Sequence, residues 1–155
     1  MFLLTLLACD PCAHPDEPPS CEAAAYGPDY EPIAAPGDTI RGVFGLQGGI
    51  HIDTAVSVVA MSAGVELEGR ILDGEGTVVA TTSLVDQRAR PDATCAADLE
   101  PVQVRFEDLT VACDMDGQPV TVEIQATRRD GEVATCRSEG VLELEDIAWD
   151  VFCTE

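Results

Sequence analysis

Ile50-His51-Ile52-Asp53-Thr54-Ala55-Val56-Ser57-Val58 decides the fold of this chain. Its even positions carry Ile, Ile, Val and Val around Thr54, and its odd positions carry His, Asp, Ala and Ser. That period of two fits an extended strand with one buried face, and it places His51 and Asp53 on the polar, outward face. The same alternation returns in Val65-Glu66-Leu67-Glu68, Val102-Gln103-Val104-Arg105-Phe106, Val120-Thr121-Val122-Glu123-Ile124 and Leu142-Glu143-Leu144-Glu145. Asp73-Gly74-Glu75-Gly76, Asp116-Gly117 and Asp130-Gly131 stand between these runs and supply residues that tolerate the positive φ of tight turns. The alternation slips phase at Glu107-Asp108, as at a bulge or a bend between sheets. No stretch after Cys9 sustains a helical period. Seven or eight such strands predict an all-β fold, a single antiparallel two-sheet sandwich spanning 38–155.

Upstream of that domain the composition changes. Residues 10–37 hold Pro11, Pro15, Pro18, Pro19, Pro28, Pro32 and Pro36, seven of the ten prolines, among Asp16, Glu17, Glu22, Asp29 and Glu31. Such a stretch reads as an extended acidic linker that could reach about 85 Å, so 9–37 is expected to be a tether.

The run Met1–Ala8 is apolar apart from Thr5 and stops at Cys9-Asp10-Pro11. Leu6-Leu7-Ala8-Cys9 resembles the lipobox of bacterial lipoproteins, although no Lys or Arg precedes the run, which is short for an export segment. The resemblance implies a signal peptide over 1–8 and a diacylglycerol on the Cys9 thiol. Two other readings stay open: a hydrophobic N-terminal strand, and a redox pair Cys9-Asp10-Pro11-Cys12. Cysteine parity supports the lipobox. With Cys9 set aside, Cys12, Cys21, Cys95, Cys113, Cys136 and Cys153 remain, enough for three disulfides in an oxidising compartment. Loop entropy mildly favours near neighbours, which points to Cys95–Cys113 with Cys136–Cys153, and to Cys12–Cys21 closing within the tether.

The hairpin signals around Gln118-Pro119-Val120 and Arg129-Asp130-Gly131 resemble the closing strands of immunoglobulin-like or fibronectin-like modules. Gly45-Leu46-Gln47-Gly48-Gly49-Ile50-His51-Ile52 is similar to the start of a strand in uncharacterised exported bacterial lipoproteins with such sandwiches. The resemblance implies a fold and a place in the cell envelope, with no activity attached. The core Trp and the core-bridging cysteine pair of antibody-type domains are not evident, since Trp149 follows the last clear hairpin.

Eight Lys+Arg, all of them Arg, against 29 Asp+Glu give a formal charge of −21, which repels nucleic acid and anionic surfaces. Equipment for catalysis is sparse: His14 lies in the linker, His51 on a polar face, and neither G-x-S-x-G nor H-E-x-x-H occurs. Zinc would need clustered Cys and His, and blue copper a close Cys-His-Met set; neither spacing is present. Calcium is the ion the sequence fits best, through Asp114-x-Asp116-Gly117, yet the later ligands are missing and a hairpin turn explains the motif as well. The reading that results is a non-enzymatic binding or structural module of the cell envelope, held to a membrane by its lipid and facing another envelope protein, with no cofactor. Its alternatives are a calcium- or metal-binding domain using the acidic turns and, last, a small hydrolase centred on His51.

Overall fold

The computed structural model describes residues 12, 16–45, 49–61, 65–84 and 94–153, so the lipobox, Cys9 and His14 lie outside the described residues. The protein is an all-β sandwich. One sheet is built on β3 (Ile50–Val59), flanked by β1 (Ser20–Ala25) on one edge and β6 (Ala97–Arg105) on the other. The other runs β2 (Thr39–Phe44), β8 (Val133–Leu144), β7 (Pro119–Thr127), β4 (Glu66–Asp73) and β5 (Val78–Leu84). This is the immunoglobulin-type division of strands between sheets.

Strand β2 changes partners along its length. Thr39–Gly42 pair with Val141–Leu144, and Gly42–Phe44 pair with Ile50–Ile52 of β3, which stitches the sheets at one edge. The pairing with β8 is parallel, a departure from the expected all-antiparallel sandwich. Strands β1 and β2 both run antiparallel to β3, so β2 meets β8 travelling in the same direction. Gly140 allows that approach: a Cβ there would collide with the Asp38 carbonyl oxygen and the Ile40 side chain. At the other edge Thr82 Oγ1 accepts from the Arg105 amide at 2.8 Å, joining β5 to β6.

The core lies between the sheets, where Ile52, Val56, Val58, Ile71, Val104, Val122, Ile124 and Leu142 are fully or almost fully enclosed. Alternation is strictest on β8, where Ala134, Cys136, Ser138, Leu142 and Leu144 face inward. Outward, Glu123 of β7 sits between Arg70 of β4 and Arg137 of β8, with Arg137 Nη2 donating to Glu123 Oε2 at 2.7 Å.

Four expectations are corrected. The phase slip at Glu107-Asp108 is a helix start: the Asp108 side chain accepts from the Thr110 amide at 2.8 Å and caps α1 (Leu109–Asp114). The ladder irregularity falls instead near Glu100-Pro101, where β6 takes up an extra residue opposite Thr54–Val56 and Pro101 has no amide hydrogen to donate. A second short helix, α2 (Asp146–Phe152), follows β8 and carries the 40 % exposed Trp149. Both helices are too short to register as a period in sequence. Finally, the stretch read as tether contributes β1, paired with β3 from Ser20↔Val59 to Ala25↔Thr54. Its Cys-Glu-Ala-Ala-Ala sequence lacks the branched residues that announce a strand.

The disulfides differ most from expectation. They are Cys12–Cys95, Cys21–Cys136 and Cys113–Cys153, with sequence separations of 83, 115 and 40. Closure entropy grows only as the logarithm of loop length, so tertiary placement overrules it. The sandwich lays its first strand beside its last, and Cys21 on β1 thereby faces Cys136 on β8. Three disulfides place the folded chain in an oxidising compartment, as for an exported protein.

Candidate functional site

Strand β3 is buried on both faces at its beginning. His51 and Asp53 were expected outward on a solvated face, and they do point away from the core. Yet they are only 6 % and 4 % exposed, because the segment after β1 and the start of β2 fold over them. Gly27 to Pro32 form a tight loop in which the Tyr30 amide donates to the Gly27 carbonyl at 3.0 Å. That loop stacks Tyr30 on Tyr26, with ring centroids 4.8 Å apart, and brings the Tyr30 hydroxyl to Asp53 Oδ2 at 3.0 Å. Arg41 of β2 lies over the Tyr30 ring, 5.8 Å from its centroid, and pairs with Glu145 at the foot of α2.

The result is a recess of about 450 Å³ at the end of the sandwich where β2 turns into β3. Tyr30, Arg41, His51, Asp53, Gln103 and Arg105 supply its polar wall, and Phe44 and Phe106 its apolar one. The register explains the grouping: His51 lies opposite Arg105 and Asp53 opposite Gln103 across the β3–β6 ladder. Gln103 Nε2 stands 3.0 Å from His51 Nε2, and Arg105 Nη2 lies 3.4 Å from Gln103 Oε1. The donor and acceptor roles at the His51 ring follow the imidazole tautomer. Asp53 Oδ1 lies 3.4 Å from His51 Nε2, within ion-pair range when the ring is protonated.

Electrostatics follow from the burial. Burial pushes the Asp53 carboxyl up, but His51 by hydrogen bond and charge, with the Tyr30 hydroxyl and Gln103, outweighs it and holds Asp53 below the ordinary aspartate value. Burial, then the hydrogen bond to Asp53 and its charge, push the Tyr30 phenol above its usual value. The arginines divide instructively in so acidic a chain. Arg41, Arg70, Arg128 and Arg137 each pair with a carboxylate. Arg105 meets none among the described residues and rests on Gln103 alone.

The opposite end of β3 is built differently. The Arg128 guanidinium pairs with Asp130 and Glu132 and donates to the carbonyls of Glu17 and Ala60, each at 3.0 Å. The Met61 amide donates to the Cys95 carbonyl at 3.1 Å, so the Cys12–Cys95 disulfide belongs to this end.

The sequence-based candidates are therefore scattered. Asp114 closes α1, and Asp116 Oδ1 accepts the Leu144 amide at 2.8 Å within a helix-to-strand turn rather than a hairpin. Among the described residues no group of three His, Cys, Asp or Glu is placed to hold a metal ion, and no Ser, Thr or Cys side chain is hydrogen-bonded to His51. No described helix is long and apolar enough to cross a membrane. The recess escaped sequence reading because Tyr30 and Arg41 come from segments without periodicity. Its one legible signal was the alternation of Ile50–Val58 and of Val102–Phe106, two strands that the structure then pairs.

Fold and recess together define an exported, disulfide-linked immunoglobulin-like sandwich with a polar end pocket. No protein family matches the chain, and no curated protein does. Solved structures similar to it include two bacterial proteins. One is a bacterial adhesin from Mobiluncus mulieris containing intramolecular disulfide, isopeptide and ester cross-links, with TM-score 0.47 and 10 % identity over 83 % of this chain and 58 % of the adhesin chain. The other is β-glucuronidase of Bifidobacterium dentium, with TM-score 0.41 and 16 % identity over 81 % of this chain and 18 % of the enzyme. Likeness of that degree transfers no activity from either protein.

Proposed function

We propose that the protein is a lipid-anchored, non-enzymatic binding module of the cell envelope, tethered through Cys9, which offers the end recess to another envelope protein. The observation that carries this reading is the division of labour along β3. Cys12, three residues from the lipobox cysteine, is fastened to one end of the sandwich, while the recess opens at the other, roughly 30 Å away along ten strand residues. A module attached at one end and hollowed at the other presents its recess away from the bilayer. The Arg105 fork, which meets no carboxylate among the described residues, suits a carboxylate on the partner. Because Cys12 is docked and only two residues separate it from Cys9 in sequence, the spacer to the lipid would be a few residues long.

A photo-crosslinking amino acid at Val43, in the recess wall, tests the reading in the native envelope, with Val133 at the opposite end as control. Adducts at Val43 that Arg105→Gln weakens, without equal adducts at Val133, are expected. Equal labelling, or none at Val43, overturns the binding role. Intact mass before and after reduction tests the anchor: a chain starting at Cys9 with acyl mass and six hydrogens gained is expected, and an unacylated chain starting at Met1 with free thiols overturns it.

A further inference from the structure

The Cys12–Cys95 disulfide shortens the covalent route between the two ends of β3. Its Cα atoms lie 5.4 Å apart, although 83 residues of chain separate them. Cys95 stands two residues ahead of β6, and β6 runs the length of the sheet to Gln103 and Arg105 in the recess. From Cys12 to Arg105 the covalent path is thus one disulfide and about ten residues, which span roughly 33 Å in strand geometry. Those residues can reach only about 36 Å when drawn taut. The path holds almost no slack. Along the main chain the same two residues are joined by more than 90 residues, about 320 Å when extended.

Both ends of this path are fixed to their surroundings. At the recess, Arg105 pairs with His51 across the ladder, and its amide donates to Thr82 Oγ1 of β5 at 2.8 Å. At the anchor end, the Arg128 clasp on the Glu17 and Ala60 carbonyls holds the incoming chain against the hairpin between β7 and β8. Cys21–Cys136 and Cys113–Cys153 close other parts of the molecule, the first joining the sheets and the second the two short helices. Cys113–Cys153 lies outside the segment from Cys12 to Arg105, and Cys21–Cys136 offers only a longer covalent route, through about forty residues.

We propose that this disulfide makes β6 a tension-bearing rod: a pull between the membrane anchor and a partner held in the recess is borne by covalent bonds along β6, and the sandwich does not unravel under it. The inference rests on the binding reading above for its two points of load. A strand pulled through non-covalent contacts would begin to shed β1 and β3, whereas here the load enters at Cys95 and leaves at Arg105 within one strand.

Single-molecule force spectroscopy on the full chain tests this, with click-chemistry handles at Asp10 and at Glu107, just past β6. The oxidised chain is expected to lengthen by less than about 20 Å before the handles fail. The Cys12→Ser, Cys95→Ser double variant is expected to release roughly 100 Å, the load then passing through Cys21–Cys136 and the forty or so residues that join it to the handles. Should that variant not fold, a thiol reductant added to the native chain under load supplies a larger contrast, an abrupt gain of up to roughly 300 Å once Cys21–Cys136 opens as well. The Cys113→Ser, Cys153→Ser variant should remain as short as the native chain. An oxidised native chain that releases the long segment, or a Cys113→Ser, Cys153→Ser variant that does, overturns the proposal. The readout needs neither lipid nor partner. Recess adducts without stiffness would sink the rod alone, and stiffness without adducts would sink the binding role alone.

Discussion

Strands β3 and β8 alternate equally well in sequence but fold into different surroundings. On β8 every second side chain from Ala134 to Leu144 faces the core, while Thr135, Arg137, Glu139 and Glu143 stand in solvent. On β3 the inward half is the same, with Ile50, Ile52, Val56 and Val58 enclosed. The outward half is not: His51 and Asp53 are as buried as the residues behind them, and solvent is reached only at Ser57 and Val59. A period of two identifies the face turned to the core. It is silent about what covers the other face, because the cover comes from Tyr30 and Arg41, far away in the chain and without a pattern of their own. Polar residues on a covered face need partners, and the recess is the set of partners that His51 and Asp53 found.

The inward halves of the two strands should respond alike and most strongly. Ile52→Ala and Leu142→Ala each remove a fully buried side chain and are expected to cost about 2–5 kcal/mol in chemical denaturation. A much smaller loss at Ile52 would mean that β3 is loosely packed and that the covered face is an artefact of a mobile strand. The outward halves should then separate the strands. Asp53→Ala removes the buried carboxylate that meets the Tyr30 hydroxyl and His51 and is expected to cost roughly 1–3 kcal/mol.

The pH dependence has a definite sign. The Asp53 carboxyl is held below its ordinary value in the fold, so the stability it contributes is complete above that ordinary value and is lost as pH falls through the folded one. Asp53→Asn should flatten that part of the acid limb and leave the share due to Asp130, whose carboxyl is likewise lowered, first by its hydrogen bond to Arg128. Tyr30 moves the other way: its neutral form is favoured, so its contribution is present below pH 10 and fades above it. Removing the Asp53 charge should bring its absorbance titration back toward the ordinary phenol. An unchanged titration in Asp53→Asn would show that the hydroxyl and carboxylate are not coupled in solution.

Thr54 sharpens the comparison from inside the core. Its hydroxyl is fully buried on the inward face of β3 with no hydrogen-bond partner among the described residues, a burden that the inward face of β8 avoids at Ser138, which accepts from the Ala25 amide at 2.8 Å. Thr54→Val should therefore stabilise the protein by about 1 kcal/mol, and Ser138→Val should not. Loss of stability in Thr54→Val would reveal a partner for the hydroxyl.

The sandwich was legible because its core strands carry their own signal: branched apolar residues at alternate positions between Asp-Gly turns. The parts that were not legible share one physical feature, dependence on distant chain. The alanines of β1 become a strand only against β3, and α1 and α2 are a turn or two long. Each disulfide joins residues that the topology brings together and the sequence keeps at least 40 positions apart. Of the recess, Gln103, Arg105, His51 and Asp53 could be read as neighbours once two strands were paired. Nothing in 26–41 announced that Tyr30 and Arg41 would close over them.

The smallest expected effect is also the one that exposes the difference between the strands most cleanly. Glu139 on β8 and Asp53 on β3 are both acidic and both point outward from the core. Glu139 stands in solvent, where its charge is fully hydrated and its removal strands no partner. Glu139→Ala should change stability by no more than about 0.5 kcal/mol, the ordinary range for a surface position. The ratio between the two alanine substitutions, measured in the same buffer, isolates the cover over β3 from everything the strands have in common. Equal losses would mean that the outer face of β3 is as open in solution as that of β8, and the recess with its binding role would go with it.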